Sequence, residues 1–504
     1  MKSIHSENLQ QGRKQGCKSH SDTGIAFLQR FLLANSLVNP AYILFLLVCA
    51  GCAQLESPPK STLKIVYTVQ AGERAIARVI TMAAMCPRLV VDGVATELPM
   101  TVRAPPRQLP ARAGSQDAKP VVFDVLTCEA ELPAELVSGA AEVRVEGRNV
   151  PLPRRDVKTI VILGDTGCRM KQSDKFFQDC KNPDTWPLEQ IAERAAALKP
   201  DLVIHVGDYH YRESPCPADV QGCAGSPWGY GYDTWDADFF RPARALLLTA
   251  PWVFVRGNHE SCFRAGQGWF RFLAPEPWTV DRSCDDSERD ADADYSPPYA
   301  VPLRWHGTAH TQLIVFDSSR AASKAYEANS PAYKKYFAEL QAVDRLASTV
   351  PHSIFLSHHP VLAFAPERAD NATMFRPGNA GLQSVMRTLH PERLFAPGID
   401  LAMHGHVHLF ESVSFSDGRP AALVLGNSGS YRDVPLPALL PPGTEPAPGA
   451  AVREFATRSN FGFASLQRAG ANWQLTEWDV HGRATLRCSL HGTASHCVTA
   501  GAEP

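Results

Sequence analysis

The chain has 504 residues, of which 44% are hydrophobic and 20% are charged, and its formal net charge at pH 7 is −2. This composition excludes a disordered chain and fits two or three domains with real hydrophobic cores. The near-neutral charge gives no indication of a nucleic-acid-binding domain or of general attraction to a membrane surface.

Residues 1–52 are predicted to form a signal peptide. The apolar run Ala41–Cys52 is too short to span a bilayer comfortably and fits the core of an export signal. It ends in small residues before Cys52, which resembles a bacterial lipoprotein signal whose cysteine is lipidated, although Cys49 stands where leucine is usual. A plain secretory signal and an uncleaved anchor are the alternatives. Residues 53–61 then form a short tether. We expect an exported protein, in the periplasm or at the outer membrane or cell surface, and otherwise secreted.

Ten of the thirteen cysteines lie beyond this segment, and they fall into close pairs. An even number of locally paired cysteines predicts disulfides and an oxidising compartment, with free buried thiols as the alternative. The pairs predicted from proximity are Cys86–Cys128, Cys168–Cys180, Cys216–Cys223, Cys262–Cys284 and Cys488–Cys497.

The rest of the chain divides into two parts by its hydrophobic pattern. Residues 62–150 contain short β-rich runs separated by turn residues, so we expect a small β-sandwich-like domain without chemistry of its own. Residues 156–498 alternate continuous apolar runs with segments of helical spacing, which predicts a layered α/β domain.

Polar residues cluster where five apolar runs of the second part end. Because α/β folds place ligand sites in the loops at the carboxyl ends of their strands, we expect these five segments to converge. The segments are Gly164–Gly167, Gly207–Tyr211, Arg256–Glu260, Ser357–Pro360 and Gly405–His408.

Two aspartates, an asparagine and several histidines in one place suit a two-metal hydrolytic site. Two cations about 3.5–4 Å apart need a bridging carboxylate and separate oxygen and nitrogen ligands on each side. His406 and His408 alternate along an extended chain and therefore point the same way. The chain has no P-loop, GxSxG or HExxH motif, which disfavours nucleotide-phosphate cradles, serine hydrolases and single-zinc proteases.

The five segments resemble the motifs of the calcineurin-like metallophosphoesterases, and most closely the purple acid phosphatase branch. The usual family pattern begins with Asp-x-His, whereas Gly167 holds the third position here. The purple branch has glycine there and takes a tyrosine ligand at the position of Tyr211. The resemblance covers about 159–430 and implies a layered α/β/β/α metallophosphoesterase domain, preceded here by the small β domain.

The resemblance also implies two metal ions, iron(III) with iron(II), zinc(II) or manganese(II). It assigns the ligands by position: Asp165, Tyr211 and His408 for the first metal, Asn258, His358 and His406 for the second, and Asp208 as the bridge. His358 is preferred over His359 because proline follows the ligand histidine by two residues in the family.

The remaining histidines are candidates for work around the metals. His259 is placed to hydrogen-bond a phosphate oxygen or to protonate the leaving group. His210, His359 and His404 are weaker candidates for the same work, with a plain structural role as the alternative. His205 lies inside a strand and is predicted to be structural.

The function implied by the resemblance is hydrolysis of phosphomonoesters, as in acid phosphatases, by a metal-bound hydroxide. The expected partner is a small phosphorylated substrate, and a lipid on Cys52 would anchor the protein to a membrane. A phosphodiesterase with the same site is one alternative. The alternative outside the enzymes is a non-catalytic surface protein that binds metal or phosphate.

Overall fold

The structure, a computed structural model, describes residues 62–92, 97–112, 119–137, 142–369 and 372–501, all within one compact unit, Thr62–Pro504. The predicted signal peptide, the tether and Cys52 lie outside the described residues. Within the described part of the chain, no helix is long and apolar enough to cross a membrane.

The described residues before position 150 form ten strands. They are β1 (Leu63–Ala71), β2 (Arg74–Thr81), β3 (Arg88–Val91), β4 (Leu98–Pro99), β5 (Thr101–Ala104), β6 (Arg107–Leu109), β7 (Val121–Phe123), β8 (Leu126–Glu131), β9 (Val143–Val145) and β10 (Arg148–Asn149).

Eighteen further strands follow in the described residues. They are β11 (Thr159–Leu163), β12 (Met170–Lys171), β13 (Phe176–Phe177), β14 (Leu202–His205), β15 (Trp252–Phe254), β16 (Tyr299–Trp305), β17 (Thr308–Val315), β18 (His352–Leu356), β19 (Ala365–Ala369), β20 (Ala372–Arg376), β21 (Ile399–His404), β22 (Phe410–Phe415), β23 (Ala421–Leu425), β24 (Val452–Arg458), β25 (Gly462–Ala469), β26 (Asn472–Asp479), β27 (Ala484–His491) and β28 (Ala494–Thr499).

Helices in the described part of the chain are fewer and mostly short. They are α1 (Ala134–Val137), α2 (Leu188–Ala197), α3 (Tyr232–Trp235), α4 (Arg244–Leu247), α5 (Gly266–Gly268), α6 (Asp290–Ala293), α7 (Pro331–Ala347) and α8 (Ala380–Leu389). Single turns of 3₁₀ helix occur at Gln172–Asp174, Asn258–Glu260, Val280–Arg282 and Ser287–Arg289, and π turns at Asp236–Phe240 and Trp269–Leu273.

Two large sheets pack face to face and are covered by helices, which confirms the predicted layered architecture. One has the strand order β28-β27-β26-β25-β11-β14-β15-β1-β2-β8-β5, and the other β16-β17-β18-β21-β23-β22-β24. Ile160 and Ile162 of β11 lie in the cluster between the sheets, together with Leu313 of β17. Val161 points to the opposite face and lies with residues of α2. Helices α7 and α8 cover the second sheet, where Leu340 is buried.

The strand-rich N-terminal part is present, and several of its strands extend the first large sheet. Val69 of β1 pairs in parallel with Trp252 of β15, and β2, β8 and β5 continue outward from there. Tyr67 and Phe123 share a core cluster with Trp252. A smaller sheet, β10-β9-β3-β4, encloses a separate cluster that includes Leu89. The boundary between domains at 62–150 and 156–498 stays a prediction.

All five predicted cysteine pairings are present as disulfides. The bonds join Cys86 to Cys128, Cys168 to Cys180, Cys216 to Cys223, Cys262 to Cys284 and Cys488 to Cys497.

Candidate metal centre

The five polar segments lie at the carboxyl ends of strands that are neighbours in the two sheets. β11, β14 and β15 run parallel side by side in the first sheet, and β18 and β21 do so in the second. Because the two sheets pack face to face, the segments that follow these five strands meet at one edge of the molecule. The structure therefore brings together the side chains of all seven predicted ligands, as the contacts below show.

One group of donors surrounds the hydroxyl of Tyr211. This oxygen lies 2.9 Å from Oδ1 of Asp165, 3.0 Å from Oδ2 of Asp208 and 3.0 Å from Nε2 of His408. Nε2 of His408 is also 3.3 Å from Oδ1 of Asp165. The four side chains are buried, so their polar atoms face one another rather than solvent.

A second group of donors surrounds Oδ1 of Asn258. Nε2 of His358 lies 3.1 Å from this oxygen, and Nδ1 of His406 lies 3.0 Å from it. Nε2 of His358 is also 3.1 Å from Oδ2 of Asp208, so Asp208 contacts both groups. His406 is exposed, whereas His358 is buried, and the site therefore opens to solvent on the side of His406.

The donor set fits metal ions. Nδ1 of His358 is 2.9 Å from the carbonyl of Val206, and Nδ1 of His408 is 2.5 Å from the carbonyl of Tyr431. A ring nitrogen that donates its proton to a carbonyl leaves the other nitrogen with a lone pair, which is how metal-binding histidines are oriented. In both residues that other nitrogen, Nε2, points at the carboxylates. The carboxylate, phenol and imidazole donors also match the preferences of iron, zinc and manganese.

The backbone is strained at three of these residues. Asp165, Asp208 and His406 have φ angles of 55°, 59° and 71°, in the left-handed region that residues with side chains rarely adopt. Such strain persists only where the surrounding structure enforces it, and it clusters at functional sites. Its occurrence at three candidate ligands supports a functional role for this loop cluster.

Two glycines make room for the ligands. A Cβ atom on Gly257 would lie 2.1 Å from Oδ1 of Asp208, and one on Gly167 would lie 2.9 Å from the ring of Tyr211. Position 167 is the one where the usual family pattern has histidine. Glycine there therefore allows the tyrosine ring to approach the carboxylates.

Opposite charges stabilise each other inside the site. Burial alone would raise the pKa of Asp208, but the charge of His358 holds it well below its ordinary value. Burial lowers the pKa of His358, yet the charge of Asp208 outweighs it and raises the pKa to about 9. The hydrogen bond and charge of Asp165 raise the pKa of His408 to about 9 against the effect of burial. The carboxylates thus attract positive charge, as cation ligands must.

His259 lies beside the donors and is held by its own partners. Its backbone N–H donates to Oδ1 of Asp208 at 2.8 Å, and its Nδ1 lies 2.9 Å from the carbonyl of His210 and 3.0 Å from Glu213. Arg264 contacts the ring at 2.6–2.7 Å and pairs with Glu213. Burial, followed by the charge of Arg264, lowers the pKa of His259 to about 4. The imidazole is therefore neutral near pH 7.

The weaker candidates lie at different distances from the donors. The ring of His359 lies 4.3 Å from that of His406, centroid to centroid, at an angle of 39°, and its Nδ1 contacts Ser318 at 3.2 Å. His210 is buried near Trp235, and neither ring nitrogen has a hydrogen-bond partner among the described residues. His404 contacts Ser357 at 3.0 Å, behind the site.

His205 is held within the fold, as predicted. Its Nε2 lies 2.9 Å from the hydroxyl of Thr166, and its Nδ1 accepts from the N–H of Gly207 at 3.2 Å. Both ring nitrogens are therefore occupied by neighbouring loops.

Sequence reasoning missed the carboxylates that hold the loops in place. Glu260 accepts hydrogen bonds at 2.9–3.2 Å from the backbone N–H groups of Asp208, Tyr209, His210 and Gly257. Asp238 accepts from the N–H groups of Tyr211, Arg212 and Cys168 at 2.7–3.1 Å. Glu260 directly follows the Gly-Asn-His sequence, and this position could have indicated its role. Asp238 lies far along the chain in a π turn and carries no such indication.

Comparisons with known proteins were made with the sequence and with the structure. The sequence profile described as calcineurin-like phosphoesterase matches residues 158–410. Among solved structures, the chain is similar to the purple acid phosphatase PPD1 of yellow lupin (Lupinus luteus), with 14% identity, a TM-score of 0.48 and coverage of 87% of this chain and 74% of that one. It is also similar to PhoD, with 10% identity, a TM-score of 0.48 and coverage of 86% and 91%. The comparison with curated proteins gave no match.

Proposed function

We propose, from the premise that the chain belongs to the calcineurin-like phosphoesterase family, that it hydrolyses phosphomonoesters at a two-metal centre built on Asp208. Membership of the family makes the protein a metal-dependent phosphoric ester hydrolase. The observation that carries the finer proposal is the position of Asp208, whose Oδ2 lies 3.0 Å from Tyr211 of one donor group and 3.1 Å from His358 of the other.

The ligand assignment follows these two groups. Asp165, Tyr211 and His408 would hold one ion, Asn258, His358 and His406 would hold the other, and Asp208 would bridge them. Oxygen donors dominate the first group and suit iron(III), whereas two imidazoles and an amide suit iron(II), zinc(II) or manganese(II). When bound, two cations would polarise the phosphoryl group and lower the pKa of a water molecule.

His259 would position the substrate phosphate. Its Nε2 lies 3.8 Å from Oδ2 of Asp208, on the side of the metal donors, while Nδ1 is taken up by the carbonyl of His210. Arg264 and Glu213 fix the ring in this orientation. Nη2 of Arg264 lies 2.7 Å from the same Nε2, so a phosphate or leaving-group oxygen bound there would meet the guanidinium and the imidazole together.

Charge beside the site favours a monoester. Lys171 and Arg264 supply two positive groups that both pair with the single carboxylate of Glu213, next to His259. The surplus of one positive charge adds to that of the metals. A phosphomonoester dianion gains more from it than a phosphodiester, which carries a single negative charge.

A paired assay tests the ester preference. We expect p-nitrophenyl phosphate to be hydrolysed with a higher kcat/KM than bis(p-nitrophenyl) phosphate, and both activities to disappear after chelation and to return with added metal. A higher kcat/KM for the diester would show instead that the protein is a phosphodiesterase. A protein that binds metal but cleaves neither ester would be a non-catalytic binding protein.

We also propose that the protein is exported and carries a lipid on Cys52. Five disulfides support an oxidising compartment, since such bonds are rare in the cytosol. Cell fractionation and mass spectrometry of the mature N-terminus test the proposal. Cys52→Ser should release the protein from the membrane fraction, and an N-terminus upstream of Cys52 would contradict the lipid anchor.

A further inference from the structure

A hairpin beside the metal donors contributes Lys171 to the charge described above, and its other residues have no role in the proposed function. It consists of β12, a 3₁₀ turn and β13, and it is closed at its base by the disulfide between Cys168 and Cys180. Gln178 ties the base to its surroundings, because its Nε2 donates to the carbonyl of Gly429 at 2.9 Å and its Oε1 accepts from the N–H of Arg169 at 2.9 Å. The hairpin is therefore a fixed part of the molecule.

One side of the hairpin is fastened next to His259. The carbonyl of Met170 accepts from the N–H of Glu213 at 3.1 Å, and Nζ of Lys171 lies 3.8 Å from the carboxylate of the same glutamate. Glu213 in turn lies 3.0 Å from Nδ1 of His259. This side of the hairpin is therefore linked to the donors around Asp208 through Glu213 and His259.

The other side of the hairpin is fastened next to His408. The ring of Phe176 lies 4.0 Å from the ring of Tyr431, centroid to centroid, at an angle of 43°. The carbonyl of Tyr431 is 2.5 Å from Nδ1 of His408. The hairpin thus reaches from the His259 side of the site to the His408 side, and its aromatic residue stands at the rim.

The pair formed by Phe176 and Tyr431, termed the rim pair, presents an open aromatic surface. Tyr431 is 50% exposed, and Phe176 covers only part of it at a tilted angle. Among the described residues, no hydrogen-bond partner holds the hydroxyl of Tyr431 in place. An aromatic ring held at the rim of a polar site offers a stacking surface to the organic part of a bound ester.

We propose that the rim pair stacks on a flat ring in the alcohol portion of the substrate, so that the enzyme prefers phosphomonoesters of ring-bearing alcohols, such as nucleoside 5′-monophosphates. This inference rests on the proposed function, because it places the phosphate at the donors around Asp208. The backbone of Tyr431 positions His408, whereas its side chain is free to contact substrate. Ring stacking on an aromatic side chain is worth roughly 1–3 kcal/mol, or about 5- to 150-fold in a rate ratio.

The test compares adenosine 5′-monophosphate with ribose 5-phosphate, which have the same phosphorylated ribose oxygen and differ in the base. With the metal-loaded enzyme we expect kcat/KM for the nucleotide to exceed that for the sugar phosphate by about tenfold or more. Tyr431→Ala and Phe176→Ala should bring this ratio close to one, and Tyr431→Phe should retain it. Leu439→Ala, at a leucine that is 84% exposed, is the matched control and should leave the ratio unchanged.

The outcomes separate the inference from the function on which it rests. Equal kcat/KM values for the two substrates in the wild-type enzyme, or a ratio that survives Tyr431→Ala, would overturn the rim pair while leaving the phosphomonoesterase intact. A metal-loaded enzyme that hydrolyses none of the three compounds, p-nitrophenyl phosphate included, would overturn both the role of the rim pair and the proposed function. Because the readout is a ratio within each variant, a general loss of activity through misfolding does not imitate a loss of stacking.

Discussion

Tyr211 gives the proposed ligand set a spectroscopic consequence. Burial, with the charges of Asp165 and Asp208, raises the pKa of Tyr211 well above its ordinary value, so the phenolate forms there only with a cation to balance it. We predict that the enzyme loaded with iron has a visible absorption band from tyrosinate bound to iron(III), and that Tyr211→Phe removes it. The visible absorption spectrum of the purified protein measures this.

Tyr209→Phe is the matched control for this change. Its hydroxyl donates to the carbonyl of Val255 at 2.9 Å, away from the metal donors, so the band should persist. A band that survives Tyr211→Phe would show that the tyrosine is not a metal ligand.

Residue by residue, the sequence predicts the donors better than the groups that hold them. Asp165 and His406 could be predicted because each follows an apolar run and adjoins a glycine. The hydrogen bonds from four backbone N–H groups to Glu260 could not, because a carboxylate that binds backbone amides needs no fixed spacing. The pairing of Tyr211 with Asp238 depends on a fold that no local pattern encodes.

At the scale of single elements, β26 contains a carboxyl group that should make stability depend on pH. Glu477 is buried, and its Oε1 accepts from Asn427 at 3.3 Å. Burial raises the pKa of Glu477 to about 7. An acid with a raised pKa in the folded state stabilises the fold below its unfolded pKa, and this contribution is lost as the pH rises through 7. The free energy of unfolding falls by about 3 kcal/mol at most through this group.

The variant Glu477→Gln tests this dependence. Its melting temperature should fall less than that of the wild type between pH 4.5 and pH 7, the ordinary and the raised pKa of the group, as followed by circular dichroism. Glu367→Gln, at a side chain that is 57% exposed, is the control and should follow the wild type. A Glu477→Gln curve parallel to the wild type would contradict the assignment.

Element boundaries were predictable where one face or both faces of an element are apolar. Helix α7 (Pro331–Ala347) is one that the sequence indicates, because its apolar residues recur at helical spacing and Ser330 caps its start. The hairpin at 170–177 was not predicted, since its strands are two residues each and their side chains show no alternation. Its conformation depends on a disulfide and on contacts with distant loops.

For the whole molecule, the N-terminal strands and the catalytic part should unfold together. Arg103, at 4% exposure, donates to the carbonyls of Phe270, Ala274 and Glu276 at 2.8–2.9 Å and pairs with Glu129 at 2.8 Å. Arg103→Ala would leave Glu129 with one fewer cation and these carbonyls without a donor. We expect a loss of about 3–5 kcal/mol in the free energy of unfolding, within a single urea transition.

The exposed residue Arg107 supplies the control, since Arg107→Ala should change the free energy of unfolding by less than about 0.5 kcal/mol. Two separate transitions in the wild type would show that the N-terminal strands form an independent folding unit.

The extent of the first sheet could not be predicted from the sequence. Hydrophobic alternation identifies β1 as a strand, but the pairing of Val69 with Trp252 joins residues far apart in the chain. Patterns within a strand determine which face is buried and do not determine which neighbour it pairs with. The two-layer core was predictable, whereas the continuity of the sheet into the N-terminal part was not.

The metal content of the wild type and of Asp208→Asn tests the central claim most directly. Elemental analysis should find two ions per wild-type chain and at least one fewer in Asp208→Asn, together with a loss of phosphomonoesterase activity greater than about 100-fold, because even outer partners of metal ligands cost 10- to 100-fold. Asp233→Asn, at a side chain that is 55% exposed, should match the wild type. An Asp208→Asn protein that retains both ions and full activity would contradict the proposed centre.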